Sequence, residues 1–219
     1  MVDGFNLDRI SGLVFDCDGT LLDTLDVWRA VEEPLFAQVP FELSQEQEDE
    51  IHSAPIEEAA QIFHEKYGVG DNSQAVLKHL DDGLLSFYAN EAVALPGAVE
   101  LVREAQQREI PCVVVSSSPR RYLEAGLSRV GILDCFKELI STEDVGVSKQ
   151  NPEIYQVAVN ALGSDIASTW ALDDAPYACR AMGSFGFNTV APLNGEGESR
   201  RAEKAAAATI VVNTLADLL

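Results

Sequence analysis

The sequence predicts an α/β protein in which a parallel sheet is covered by helices on both faces and an all-α domain is inserted after the first strand. Short apolar runs without polar alternation recur in the chain, as expected for strands buried on both faces. Stretches with apolar residues at helical spacing separate these runs. Residues 24 to about 92 show helical spacing and almost no strand-like run, which predicts the insertion.

Six apolar runs are the predicted strands. They are residues 12–16, Cys112–Val115, a short run at Leu139 and Ile140, Trp170–Leu172, Thr189–Ala191 and Ile210–Val212. The first run ends in the turn-forming residues CDGT and the second in SSSP, which is typical of a buried strand that passes into a loop. The intervening spacing predicts helices over Ala98–Arg108, over Tyr122–Val130, and from the Asn151 cap and Pro152 to Leu162.

The inserted segment is polar and acidic, and its spacing predicts four helices. They are Trp28–Phe36, Ser44–His52, Ile56–Tyr67 and Gln74–Tyr88. Strand-like sequence resumes only after Leu95-Pro96-Gly97. We therefore predict a core domain built from residues 1–23 and 93–219 and a helical domain built from residues 24–92.

Charge and composition exclude several classes of partner. The formal net charge of -21 repels the phosphates of nucleic acids and of anionic membrane surfaces. The sequence has no apolar run of the roughly 18–20 residues that a membrane helix needs, and its N-terminus does not resemble a signal peptide. The four cysteines are scattered without a C-x-x-C pair, which predicts reduced thiols. A cytoplasmic protein is expected; the oligomeric state is left open, with a monomer favoured.

Polar side chains follow three of the predicted strands. Asp16 and Asp18 end the first strand, Ser116 the second, and Asp173 and Asp174 the fourth. Ligands bind at the carboxyl ends of strands in open parallel sheets, so these residues are expected to converge. Lys149 lies in the loop before the Asn151 cap and is expected to join them.

This set of residues is suited to phosphoryl transfer. Clustered carboxylates are costly unless a cation is present, and oxygen ligands suit Mg²⁺ bound together with a phosphate. Asp16 is then a candidate nucleophile, and a protonated Asp18 could donate to the leaving alcohol and later activate water. Ser116 and neighbouring backbone amides could hold phosphate oxygens, while Lys149 neutralises charge.

Each feature alone has a simpler structural explanation. A D-x-D-G sequence is often only a turn, Ser116 could cap a helix, Lys149 could be a solvated lysine, and Asp174 could cap the following helix. Their joint appearance in this order, each at a strand end or in an adjoining loop, favours the functional interpretation.

The segments FDCDGTLLDT, VVVSSSP, SKQNPEIY and ALDDAPYACRAM resemble the four ordered motifs of the haloacid dehalogenase superfamily of phosphohydrolases. The resemblance spans nearly the whole chain, and the helical insertion resembles the small cap of the beta-phosphoglucomutase-like and sugar-phosphatase subgroup. It implies a Rossmann-like core with an inserted all-α cap. In the third motif the family often has K-P-x-P, whereas here Gln150 stands between Lys149 and Asn151-Pro152.

The resemblance also implies a role for each site residue. Asp16 would be the nucleophile and a metal ligand, and Asp18 the general acid/base that also binds metal through its backbone carbonyl. Lys149 would stabilise the phosphoryl group, and Asp174 would bind Mg²⁺, with Asp173 as a further ligand or a neighbour of the metal site. The residues implied in phosphate binding are Ser116, Ser117, Lys149, Gly19 and Thr20.

The expected substrate is a small phosphorylated metabolite of the sugar-phosphate type. Trp28 stands twelve residues after Asp16, where relatives resembling beta-phosphoglucomutase have a histidine, which argues against a mutase. Arg120 and Arg121 follow the serine loop and are candidates for contacting substrate at its rim. The alternatives are a phosphomutase, a phosphoglycolate or nucleotide phosphatase, and a non-catalytic binding protein.

Overall fold

The structure is a computed structural model that describes residues 4–219 except 45, 46, 49, 52 and 53. The chain forms two compact units. The first contains the N-terminal segment up to Thr24 together with Ala92–Leu219, and the second is Leu25–Glu91. A cap role for the second unit stays a prediction.

The first unit is built around one six-stranded sheet of the described residues. The strands are β1 Gly12–Phe15, β2 Cys112–Ser116, β3 Glu138–Ser141, β4 Thr169–Leu172, β5 Asn188–Pro192 and β6 Ile210–Val212. Their order is β3-β2-β1-β4-β5-β6, and every pairing is parallel. The first strand in sequence therefore lies between β2 and β4, so that Phe15 pairs with both Val114 and Leu172. The predicted α/β class is confirmed.

Helices of the first unit pack onto this sheet. They are α4 Ala98–Gln107, α5 Arg120–Arg129, α6 Thr142–Val145, α7 Pro152–Leu162, α8 Pro176–Phe185 and α9 Glu198–Ala205. All residues of β1, β2 and β4 are buried, which requires cover on both faces of the sheet. The predicted limits of α7 are observed, because the Asn151 side chain caps its first turn and Gly163 ends it at a φ of 67°.

The second unit is helical among its described residues. It contains α1 Leu25–Phe36, α2 Ile56–Gln61, a π-helical turn Ile62–Lys66 and α3 Ser73–Asn90. Its core includes a ring contact between Phe36 and Phe63 at 5.0 Å. The predicted helix Ile56–Tyr67 is α-helical only as far as Gln61 and continues as a π-helical turn. The predicted helix Ser44–His52 lies partly outside the described residues.

Two observations bear on the predicted environment of the chain. All four cysteines are free thiols, as the scattered cysteine pattern predicts. In the part of the chain that the structure describes, no helix has the length and apolar character needed to cross a membrane.

Candidate active site

The loop after β1 places its two acids at the carboxyl end of the central strand. The Asp16 backbone N–H donates to the Leu172 carbonyl at 2.8 Å, so Asp16 still follows the sheet. The chain then turns at Gly19, whose φ is +76°. A side chain at Gly19 would meet the Asp174 carboxylate at 2.8 Å. Glycine is therefore required both by the backbone conformation and by the close approach of Asp174.

A buried lysine joins two of the predicted acids. The Lys149 ammonium donates to the carboxylate of Asp16 and to Asp173 Oδ2 at 2.9 Å. All three side chains are buried. Burial alone would lower the pKa of Lys149, but the two carboxylates outweigh it and hold this pKa above its ordinary value. Lys149 therefore supplies a fixed positive charge beside Asp16, against the negative charge of the whole molecule.

Tyr155 holds the loop that carries Lys149. Its hydroxyl donates to the Lys149 carbonyl, and its ring is fully buried on α7. Tyr155 was not predicted as a site residue, because a tyrosine on the apolar face of a helix has the pattern of a core residue. The only available signal is its position six residues after Lys149 in the third motif.

Thr20 and Asp173 fix the fourth strand end against the first. The Thr20 hydroxyl donates to Asp16 Oδ2 at 3.3 Å and accepts from the Asp174 backbone N–H at 3.1 Å. Asp173 Oδ1 accepts from the Ala175 N–H at 2.8 Å at the start of α8. The alternative in which Asp174 caps this helix is not observed, because the residue before α8 is Ala175, which makes no side-chain cap.

Asp16, Asp173 and Asp174 could together hold a metal ion. They offer carboxylate oxygens that lie within 4.8 Å of one another. Burial, and next the neighbouring Asp173, raise the pKa of Asp174 to about 7. Such crowding of two buried carboxylates and one half-buried carboxylate calls for a cation, and an all-oxygen donor set is the kind that Mg²⁺ prefers. The residues therefore fit the predicted metal site.

The Asp18 side chain faces the serine loop after β2. Its carboxylate accepts from the hydroxyls of Thr24 and Ser118, each at 2.6 Å, and lies 3.5 Å from the Ser116 hydroxyl. Ser116 is buried and accepts from the Ser118 N–H at 3.0 Å. It does not cap α5, because that helix begins after Pro119. Thr24 and Ser118 were not predicted, and their hydroxyls fix Asp18 two residues from the candidate nucleophile.

The remaining candidates lie at the border of this cluster. Ser117 is exposed on the loop after β2, and its role in phosphate binding stays a prediction. Arg120 pairs with Asp144 at 2.7 Å, and Arg121 lies 3.7 Å from Glu143. Both arginines thus pair with acidic residues of α6, and their contact with substrate stays a prediction.

Comparison with known proteins is in accord with this arrangement. Validoxylamine A 7'-phosphate phosphatase of Streptomyces hygroscopicus subsp. limoneus is 39% identical over 85 residues, which make up 39% of this chain and 40% of that protein. Hexitol phosphatase B of Escherichia coli (strain K12) is 25% identical over 169 residues, 76% of each chain. A crystal structure of beta-phosphoglucomutase from Clostridium difficile shares the fold, with a TM-score of 0.73 and 19% identity over 96% of this chain and 93% of that one.

A family model described as haloacid dehalogenase-like hydrolase matches residues 10–186, which contain all four motifs and the whole acidic cluster. The chain therefore belongs to the haloacid dehalogenase-like hydrolases, and the prediction that it is an enzyme of this family is confirmed.

Proposed function

We propose that the chain is a magnesium-dependent phosphatase that hydrolyses small phosphorylated metabolites of the sugar-phosphate type through an aspartyl-phosphate on Asp16. The family match and the named phosphatases among its relatives support the phosphatase activity. The proposed mechanism on Asp16 is supported above all by the contact of Lys149 with Asp16. Asp16 is also one of the three clustered carboxylates, and Asp18 stands two residues after it.

In the first step, a carboxylate oxygen of Asp16 attacks phosphorus and the bond from phosphorus to the ester oxygen breaks. The departing oxygen takes a proton from Asp18, so a neutral alcohol leaves and the phosphoryl group stays on Asp16. In the second step, Asp18 accepts a proton from water. The water oxygen attacks phosphorus, which releases phosphate and restores the Asp16 carboxylate.

The surrounding residues serve these two steps by position and charge. Lys149 stays cationic beside the attacking oxygen and offsets the charge of the phosphoryl group. Thr24 and Ser118 hold the Asp18 carboxyl in place. Bound Mg²⁺ would be held by Asp16, Asp174 and Asp173 and would supply positive charge near the phosphoryl oxygens.

The sugar-phosphate substrate class rests on Trp28 and on the relatives. Trp28 replaces the histidine expected of a mutase, and its indole N–H donates to the Tyr88 hydroxyl at 3.4 Å within the helical unit. Hexitol phosphatase B is one of the named relatives. A cytoplasmic location and a monomeric state stay predictions.

Phosphate release from a panel of phosphorylated metabolites, with Mg²⁺ and with EDTA, tests the proposal. We expect metal-dependent release that is highest with hexose or hexitol phosphates. Asp16→Asn should reduce it to background while the circular dichroism spectrum is retained, and the matched control Asp71→Asn, at an exposed position, should behave as wild type. Release that persists in Asp16→Asn would exclude the proposed nucleophile. Isomerised sugar phosphate without net release would identify a mutase.

A further inference from the structure

Ser141 is a fully buried serine at the carboxyl end of β3, outside the four sequence motifs. It stands opposite Ser116 in the register of the parallel pair β2 and β3. A serine hydroxyl has one proton to donate and two lone pairs that accept. The Ser141 hydroxyl donates to the Ser118 carbonyl at 2.8 Å and accepts from the Glu143 N–H at 3.2 Å. It therefore joins the end of β3 to the serine loop after β2.

Capping of α6 does not account for both of these contacts. A residue that caps a helix start needs only an acceptor, and the Glu143 N–H uses that side of the Ser141 hydroxyl. The proton goes instead to a carbonyl 23 residues earlier in the chain. The next residue adds a weaker tie, because the Thr142 hydroxyl donates to the Ser117 carbonyl at 3.4 Å. The end of β3 thus holds two consecutive carbonyls of the serine loop.

Ser118 connects Ser141 to the candidate general acid. Its carbonyl is held by Ser141, and its N–H donates to the Ser116 hydroxyl at 3.0 Å, so its backbone is fixed on both sides. Its own hydroxyl is buried and donates to Asp18 Oδ2 at 2.6 Å. The path from Ser141 to the Asp18 carboxyl group therefore consists of two hydrogen bonds that share one residue.

We propose that Ser141 is a positioning residue for Asp18 and acts through Ser118. The inference rests on the proposed phosphatase function, in which Asp18 gives a proton to the departing ester oxygen. A general acid works only within hydrogen-bond reach of that oxygen, so a loosened Asp18 should transfer the proton less well. The loss should depend on the leaving group. An alkoxide is a strong base that needs the proton, whereas p-nitrophenolate is a weak base that can leave without it.

The test compares a hexitol phosphate with p-nitrophenyl phosphate. We call kcat/KM for the first divided by kcat/KM for the second the leaving-group ratio. A general weakening of phosphate binding lowers both values and cancels in this ratio. We expect Ser118→Ala to lower the ratio about tenfold or more, since Thr24 still holds the other Asp18 oxygen and the acid is loosened rather than released. Ser141→Ala should lower the ratio by about fivefold or more.

A double variant tests the path from Ser141 through Ser118. Ser118→Ala combined with Ser141→Ala should show the same leaving-group ratio as Ser118→Ala alone, because the second change acts only through the hydroxyl that the first removes. A further fall of the ratio in the double variant would mean independent action and would overturn the inference. A Ser141→Ala variant that loses activity equally on both substrates would overturn it too, since that result indicates only general damage.

The matched control is Asn6→Ala. The Asn6 side chain accepts from the Asp8 N–H at 2.9 Å and caps the short turn Leu7–Arg9, which precedes the amino end of β1. This variant loses a cap of the same kind as Ser141→Ala but has no tie to the serine loop. It should keep the wild-type leaving-group ratio. A ratio lowered as much as in Ser141→Ala would overturn the assignment to the serine loop.

The carboxyl carbon resonance of Asp18, measured by NMR, tests the path without turnover. It should shift in Ser118→Ala and in Ser141→Ala and stay in place in Asn6→Ala. A wild-type protein that releases no phosphate from any ester would contradict the proposed function, and a resonance shifted in both serine variants would still support the path to Asp18. An unshifted resonance in Ser141→Ala would overturn the inference whether or not the wild-type protein is active.

Discussion

Tyr155→Phe tests whether the loop before α7 positions the catalytic lysine. The substitution removes only the hydroxyl that donates to the Lys149 carbonyl. The ring would keep its contacts with Phe185 at 5.8 Å and Phe187 at 6.0 Å, so no cavity forms. Leaving a buried carbonyl without its donor costs about 1–3 kcal/mol, and we expect the free energy of unfolding to fall by that amount.

The same substitution should lower activity through Lys149. The Lys149 ammonium contacts both Asp16 and Asp173, so a shift of its backbone displaces the charge beside the nucleophile. A misplacement of about 1 Å in an active site can lower the rate by about 100-fold. We therefore expect kcat/KM of Tyr155→Phe to fall by about 10- to 100-fold.

Urea unfolding followed by circular dichroism and initial rates of phosphate release measure the two effects. Phe187→Leu is the matched control, because it alters the same aromatic cluster without touching Lys149. It should lose about 1 kcal/mol of stability and keep its kcat/KM. Wild-type stability and activity in Tyr155→Phe would refute the positioning role, and so would an equal loss of activity in Phe187→Leu.

Three further predictions concern the metal site and the backbone. Mg²⁺ at about 100 times its Kd should stabilise the protein by about 2.7 kcal/mol, measured as a rise in Tm. Asp174→Asn should remove most of this rise. A variant whose Tm rises as much as that of the wild type would exclude Asp174 as a ligand. Gly97→Ala should lower Tm far more than Gly146→Ala. Both glycines have positive φ, but only at Gly97 would the new Cβ stand 2.0 Å from a backbone nitrogen. An equal fall in Tm for the two variants would contradict this prediction. Asn194→Ala should raise the Mg²⁺ concentration needed for half-maximal activity, because the Asn194 amide donates to the Gly19 carbonyl at 2.7 Å; an identical midpoint would mean that the loop needs no such support.

Much of the fold could be predicted because buried parallel strands have a local signature. The runs at β1, β2 and β4 are apolar at every position, and the observed strands match the predicted ones to within a residue. The order of the strands could not be predicted in this way, since pairing joins residues far apart in sequence and leaves no local pattern. Only the structure shows that β1 lies between β2 and β4.

The residues of the candidate site could likewise be predicted only in part. Asp16, Asp173 and Lys149 could be proposed as neighbours because they occupy strand ends or an adjoining loop, and the structure brings them into contact. Tyr155 could not, because a tyrosine on a helix has the same sequence pattern whether it packs in a core or borders a site. Its contact with the Lys149 carbonyl depends on how the loop before α7 folds back, which no spacing within the segment encodes.

The position of β1 in the sheet has a consequence for synthesis of the chain. β1 is the first strand to be made, but its partners end at Ser116 and Leu172, with the helical unit encoded in between. After it has completed β1, a ribosome that adds about 5–20 residues per second takes about 5–20 s to reach the end of β2 and about 8–30 s to reach the end of β4. During that interval the apolar GLVF segment has no strand to pair with, whereas the contacts within Leu25–Glu91 are closer in sequence and can form first. The nascent chain therefore presents an unpaired apolar strand, the kind of segment that chaperones shield, until the second half of the core domain emerges.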